Sequence, residues 1–187
     1  MPRLFISINC NEETKRQLLS IQEQIKSQSE RGNFSRPENL HLTLAFLGET
    51  PQEMIESIRS CLSEASAVLS AQKPPIAPFS LTFSQTDFFR RGGKELWWIG
   101  ADQNDSSLAA LNNLRHRITS GLSSRKIPFD NKEFKPHITL GREITHNAPI
   151  TIPKQKIDFP VNRISLMKSE HINKVLVYTE VFGVKLR

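Results

Sequence analysis

Two four-residue segments, His41-Leu42-Thr43-Leu44 and His137-Ile138-Thr139-Leu140, share one pattern of alternating polar and aliphatic side chains. A period of two belongs to a β-strand with one wet and one dry face, so His and Thr leave one side while the aliphatic pair enters the core. Each tetrad closes a similar run. In the first, Leu4 to Ile8 is strand-like and Asn11-Glu12-Glu13 caps a helix carrying Leu18, Ile21, Gln22 and Ile25 as far as Gly32. Pro37 marks a loop, and Leu40 to Leu47 is extended. In the second, Leu96 to Ile99 is strand-like, Asp105 caps a helix carrying Leu108, Leu111, Leu114 and Ile118, and His137 to Leu140 follows Pro136. Strand, helix, strand thus occurs twice, which reads as a duplication.

Between the halves, Thr50-Pro51-Gln52-Glu53 has the form of a capping box before a helix through Met54, Ile55, Ile58, Leu62 and Val68. Gln72-Lys73-Pro74-Pro75 ends that helix, and Pro78 to Phe83 starts another extended stretch. Residues 157–166 and 173–184 are expected to form two strands paired as a hairpin. No Gly/Ser-rich linker divides the chain, so residues 1–187 are read as one α+β domain of two lobes sharing one body.

Composition bounds the class. With 37% hydrophobic residues and 11 Phe in 187 residues the chain is too apolar for a disordered segment, and no apolar run approaches the roughly 18 residues of a membrane span. Cys10 and Cys61 have no metal-type spacing, and the N-terminus lacks the features of a secretory leader, so a reducing, cytoplasmic setting is expected. The net charge of +6 is uneven: residues 1–89 carry −2 and residues 90–187 carry +8, with Arg90-Arg91 and Arg115-His116-Arg117 in the basic half. That excess suits a polyanion, or else a solvated, solubilising surface.

Two imidazoles and two hydroxyls on facing strands suit phosphoryl chemistry. One neutral ring removes a proton from an attacking water or hydroxyl, a protonated ring supplies one to the leaving oxygen, and hydroxyls donate to phosphoryl oxygens as charge grows on them. A strained cyclic phosphodiester is well matched, because a paired acid and base can open it without a metal. The alternatives are two core histidines, or a zinc site with a distant third ligand. The chain lacks His-Glu-x-x-His, Cys-x-x-Cys, a P-loop, Gly-x-Gly-x-x-Gly and Gly-x-Ser-x-Gly.

On these residues the chain resembles the two-histidine phosphoesterases, and within them the RNA 2′,3′-cyclic phosphodiesterases, also called 2′-5′ RNA ligases. The matching stretches are Arg3 to Ile8, Pro37 to Glu49 and Lys135 to Arg142. The resemblance implies a bilobal α+β fold of duplicated β-α-β units, with antiparallel sheets around a central cleft and helices on the outside. It implies hydrolysis of a terminal RNA 2′,3′-cyclic phosphate to a 2′-phosphomonoester, reversible in some members as 2′-5′ ligation of tRNA halves. It also implies that no metal or nucleotide cofactor is required; separately, the lack of a long apolar run argues against a membrane partner, and a monomer is expected. Carried over, His41 is the proton donor and His137 the proton acceptor, an order the residues alone do not assign. Thr43 and Thr139 hold phosphate oxygens, and Arg142 is a nearby cation, unless it pairs with Glu143. A cyclic mononucleotide phosphodiesterase and a non-catalytic RNA-binding module are the competing functions.

Asn33-Phe34-Ser35-Arg36 departs from the Trp-containing approach of many relatives. Phe46, Trp97 and Trp98 offer either a base-stacking surface or, as is commoner for aromatic residues inside strands, part of the core, and they are read as core; His116, His146 and His171 are read as structural or surface residues. The lobe with His137 and Arg142 is expected to carry most RNA contacts.

Overall fold

Both tetrads begin strands, β3 (His41–Glu49) and β6 (His137–Thr145). Leu42, Leu44, Ile138 and Leu140 are buried while His41, Thr43, His137 and Thr139 are partly exposed, as the period-two pattern requires. The computed structural model describes residues 1–66 and 75–187; Val68 and Gln72-Lys73-Pro74 lie outside the described residues.

The runs preceding the tetrads form β1 (Arg3–Asn9) and α1 (Glu12–Ser27) in the first half, and β5 (Lys94–Ala101) and α3 (Leu108–Ser124) in the second. Asn11 caps α1 by accepting from the Thr14 amide at 2.8 Å, and Leu18, Ile21, Gln22 and Ile25 are buried along one stripe. Asp105 does not cap α3. Its carboxylate accepts from the amides of Ser107 at 2.8 Å and Thr82 at 2.5 Å, an Asx-type turn tied to a neighbouring strand, and Ser107 occupies the cap position. The capping box also fails, because the Thr50 hydroxyl donates to the Gly48 carbonyl at 3.1 Å. One 3₁₀ turn over Gln52–Met54 precedes α2 (Ile55–Ser66) instead.

A short strand not read from the sequence, β2 (Arg31–Phe34), pairs with β6. The remaining strands are β4 (Phe79–Arg91), β7 (Ile157–Val161), β8 (Arg163–Ile172) and β9 (Val175–Lys185). The expected strand over 157–166 therefore splits. β7 pairs with β4, and the chain then crosses the sheet to pair β8 with β1. The hairpin is β8–β9, turned by Asn173 and Lys174 at φ of 50° and 65°, the left-handed values of a tight hairpin turn.

All strands join one nine-stranded sheet in the order β7-β4-β5-β6-β3-β1-β8-β9, with β2 beside β6. Its centre is thin. β3 and β6 meet through one cross-strand pair, Leu42 with Ile138, and each is flanked by the first strand of its own half. The helices exchange sides: α1 packs on β6 and β7, where the Thr14 hydroxyl donates to the Asp158 carbonyl at 3.0 Å, while α3 packs on β3 and α2. Gly121 permits the α2–α3 approach, since a Cβ there would lie 2.6 Å from the Cys61 sulfur. Among the described residues no helix is long and apolar enough to cross a membrane.

Candidate active site

The pairing of Leu42 with Ile138 sets the geometry of the polar face. One residue outward in an antiparallel register, His41 comes beside Thr139 and Thr43 beside His137. The four side chains line one cleft of about 760 Å³, together with Arg3 and Phe5 from β1, Arg142 from β6 and Tyr178 from β9.

Both rings are oriented in the same way. Nδ1 of His41 lies 2.7 Å from the Asn39 carbonyl and Nδ1 of His137 lies 2.6 Å from the Lys135 carbonyl, each two residues upstream. A carbonyl only accepts, so Nδ1 carries the proton in both rings and Nε2 is the edge left for chemistry. In neutral His41 that edge accepts from the Thr43 hydroxyl at 2.9 Å. Asn39 is itself held, its side-chain amide donating to the Leu176 carbonyl at 2.9 Å.

Each tetrad ends in a β-bulge. Ser7 pairs with Thr43 but Ile6 with Ala45, leaving Leu44 extra; Trp98 pairs with Thr139 but Trp97 with Gly141, leaving Leu140 extra. The extra residue reverses the alternation, so the position five beyond each histidine, Phe46 in one half and Arg142 in the other, turns back to the cleft. Without the bulges both would face the core. The bulges' backbone carbonyls are satisfied from the opposite half. Arg115 Nε of α3 donates to the Leu44 carbonyl at 3.2 Å, and Gln22 Nε2 of α1 donates to the Leu140 carbonyl at 2.6 Å. Ser35 adds its amide to the Leu140 carbonyl at 2.9 Å and its hydroxyl to the Thr139 carbonyl at 2.8 Å.

The two histidines sit in different surroundings. Phe5 and Tyr178 pack on the His41 ring with centroids 4.9 and 5.2 Å away. Burial, with smaller contributions from the Arg142 and His137 charges, pushes the His41 pKa down to about 4 against the opposing Asn39 carbonyl. Burial raises the Tyr178 phenol, and Arg142 and Arg3 oppose that rise. Arg142 forms no ion pair among the described residues. Glu143 is engaged by Lys94 at 3.1 Å and by the Asn33 amide at 2.8 Å. Arg3 lies over the Phe46 ring, 4.9 Å from its centroid.

Several cleft residues carried no sequence signal. Tyr178, and His171 and Lys174 at the β8–β9 turn, reach the cleft only because that hairpin pairs with β1. Lys174 thereby brings one cation of the basic half to the side of the cleft built on β1. Gln22 was detectable as a polar residue within an apolar stripe. Trp97 is core as expected, whereas Phe46 lines the cleft and Trp98 is only half-buried beside His137. His146 lies outside the cleft, its Nε2 3.0 Å from the buried Glu95 carboxylate. Among the described residues no group of three His, Cys, Asp or Glu is arranged to hold a metal ion.

The fold and site define a class: an α+β fold on one antiparallel sheet, whose two halves each place a His-x-Thr strand at a shared cleft. The family model for the 2′-5′ RNA ligase superfamily matches residues 14–173. The chain is 31% identical to a protein named RNA 2′,3′-cyclic phosphodiesterase from Thermus thermophilus, over 99% of this chain and 90% of that one. The solved structure of TT0787, also of Thermus thermophilus, superposes with a TM-score of 0.78 at 28% identity, covering 99% and 98% of the two chains. That of E. coli LigT complexed with 3′-AMP superposes with a TM-score of 0.74 at 26% identity over 99% and 98%. The chain belongs to the 2′-5′ RNA ligase superfamily.

Proposed function

We propose that this cleft hydrolyses the 2′,3′-cyclic phosphate end of RNA to a 2′-phosphomonoester, and joins the same end to a 5′-hydroxyl when RNA replaces water. The observation that carries this reading is the facing of His41 and His137 across the Leu42–Ile138 pair, with both Nδ1 atoms tied to carbonyls. The relatives' name and the nucleotide in LigT agree with it.

In the forward step His137 Nε2 takes a proton from water as the water oxygen bonds to phosphorus. The phosphorus–O3′ bond breaks, and protonated His41 gives its Nε2 proton to the departing 3′ oxygen. Protonation of His41 also reverses its bond with Thr43. The ring then donates, freeing the Thr43 hydroxyl to join that of Thr139 on the non-bridging oxygens, where Arg142 adds charge-assisted hydrogen bonds. A bound phosphodiester is an anion beside a ring held down by burial and by Arg142, so substrate itself restores the protonated His41 that the free protein lacks at neutral pH.

One chain supplies both tetrads, which suits a monomer, and the free buried cysteines Cys10 and Cys61 suit a reducing compartment such as the cytoplasm. tRNA halves are one RNA with the required ends. The test is to incubate EDTA-treated protein with an oligonucleotide ending in a 2′,3′-cyclic phosphate and identify the product. A 2′-phosphate is expected; a 3′-phosphate, or activity lost with the metal, overturns the mechanism. Faster turnover of cyclic mononucleotides than of oligonucleotides favours the mononucleotide function.

A further inference from the structure

Phe89 is 44% exposed, the one exposed aromatic side chain among the described residues. It stacks on Trp98 with centroids 5.2 Å apart and planes 28° apart. Both rings meet the His137 ring edge-on, with centroids 6.2 Å away for Phe89 and 5.9 Å for Trp98. The arrangement is built into the sheet. Gly100 pairs with His137, and a Cβ there would lie 2.6 Å from Cζ3 of Trp98, so the missing side chain lets the indole lie against the strand beside the histidine. Trp98 holds this place although its buried Nε1 has no hydrogen-bond partner, a cost that a purely structural residue at a partly exposed position would avoid.

We propose that Phe89 and Trp98 form a stacking platform for the first nucleobase of an RNA strand bearing a 5′-hydroxyl, the nucleophile that replaces water. This rests on His137 being the base of the proposed reaction. The attacking oxygen sits at His137 Nε2, so whatever is attached to that oxygen projects past His137, away from the leaving oxygen at His41. Water carries nothing there and hydrolysis has no use for an aromatic surface. A 5′-hydroxyl carries a nucleobase one sugar away, and a stacked pair of rings receives any base through its π face. In the joining step the O5′–phosphorus bond forms as phosphorus–O3′ breaks; His137 receives the 5′-hydroxyl proton and His41 protonates O3′.

The probe is a 5′-hydroxyl RNA whose first base is 2-aminopurine, titrated by fluorescence into the wild type, Phe89→Ala, Phe89→Tyr and Gly100→Ala. Saturable quenching is expected with the wild type and with Phe89→Tyr, and a Kd weakened about tenfold with Phe89→Ala, within the range one base–aromatic stack supplies. Gly100→Ala, which displaces the indole, weakens binding in the same direction. With a cyclic-phosphate strand added, the ratio of joined to hydrolysed product falls in Phe89→Ala. Equal Kd values for wild type and Phe89→Ala overturn the platform. Absence of cyclic-phosphate hydrolysis by the wild type instead overturns the proposed function, and the binding titration is read independently of it.

Discussion

Arg115 on α3 donates from Nε to the carbonyl oxygen of Leu44, the bulged residue ending the first tetrad, at 3.2 Å. Gln22 on α1 does the same for Leu140 in the second tetrad. Each half's helix thus fastens the other half's histidine strand, which couples folding of the duplicated units to assembly of the cleft. Gln22→Leu keeps the apolar stem but leaves the Leu140 carbonyl without that donor. A loss of about 1–3 kcal/mol is expected in urea unfolding. In Arg115→Met the turnover falls more than KM rises, because the strand's position rather than its charge is altered; steady-state kinetics with an unchanged kcat would count against this.

If His41 and His137 divide acid and base work, each alanine substitution removes a separate proton transfer. Turnover of a cyclic-phosphate oligonucleotide should fall by about 10²–10⁴ for either variant, and the wild type should show a bell-shaped pH profile. A variant retaining more than about a tenth of wild-type turnover shows that its ring transfers no proton in the reaction.

His41 links pH to both stability and anion binding. Its folded pKa of about 4 lies below the ordinary histidine value of 6.5, so the unfolded chain binds more protons between those values and stability falls as pH drops through that window. The loss is on the order of 2–3 kcal/mol by pH 4. His41→Asn should therefore lose less stability than wild type between pH 7 and pH 4, measured by chemical unfolding. By the same linkage, phosphate or a 2′-nucleotide should raise the His41 pKa in an NMR titration. Thr43→Val should reduce that rise, because the hydroxyl that protonation releases is gone.

Arg142 has no carboxylate partner among the described residues and faces the same cleft as both histidines. Arg142→Ala should raise KM for RNA ends by about 10-fold or more and flatten the salt dependence by about 0.7 in log–log slope, one single-strand phosphate contact. Arg142→Lys should recover the salt slope but only part of the affinity, since a lysine cannot make the bidentate contact.

The two tetrads, the repeated strand–helix–strand order and the shared polar face of the two histidines were legible because alternation along a strand is a local property, set by the geometry of successive Cβ atoms. The Asn11 cap was legible for the same reason. The caps assigned to Asp105 and Thr50 were not, because a neighbouring strand and a turn took those side chains first. After Val161 the last strand and its hairpin pairing were legible, but the break between β7 and β8 and the strand that the hairpin joins were not. A chain segment carries no record of which distant strand it will pair with, so the transfer of β8–β9 to β1, and with it the arrival of Tyr178 and Lys174 at the cleft, was decided by long-range burial. The bulges at Leu44 and Leu140 belong to the same category: alternation alone points Phe46 and Arg142 into the core, and only the register against β1 and β5 turns them back. The sequence by itself determined which four side chains stand on the polar faces of the two strands; the tertiary structure decided what surrounds them, because that surrounding is assembled from strands distant along the chain.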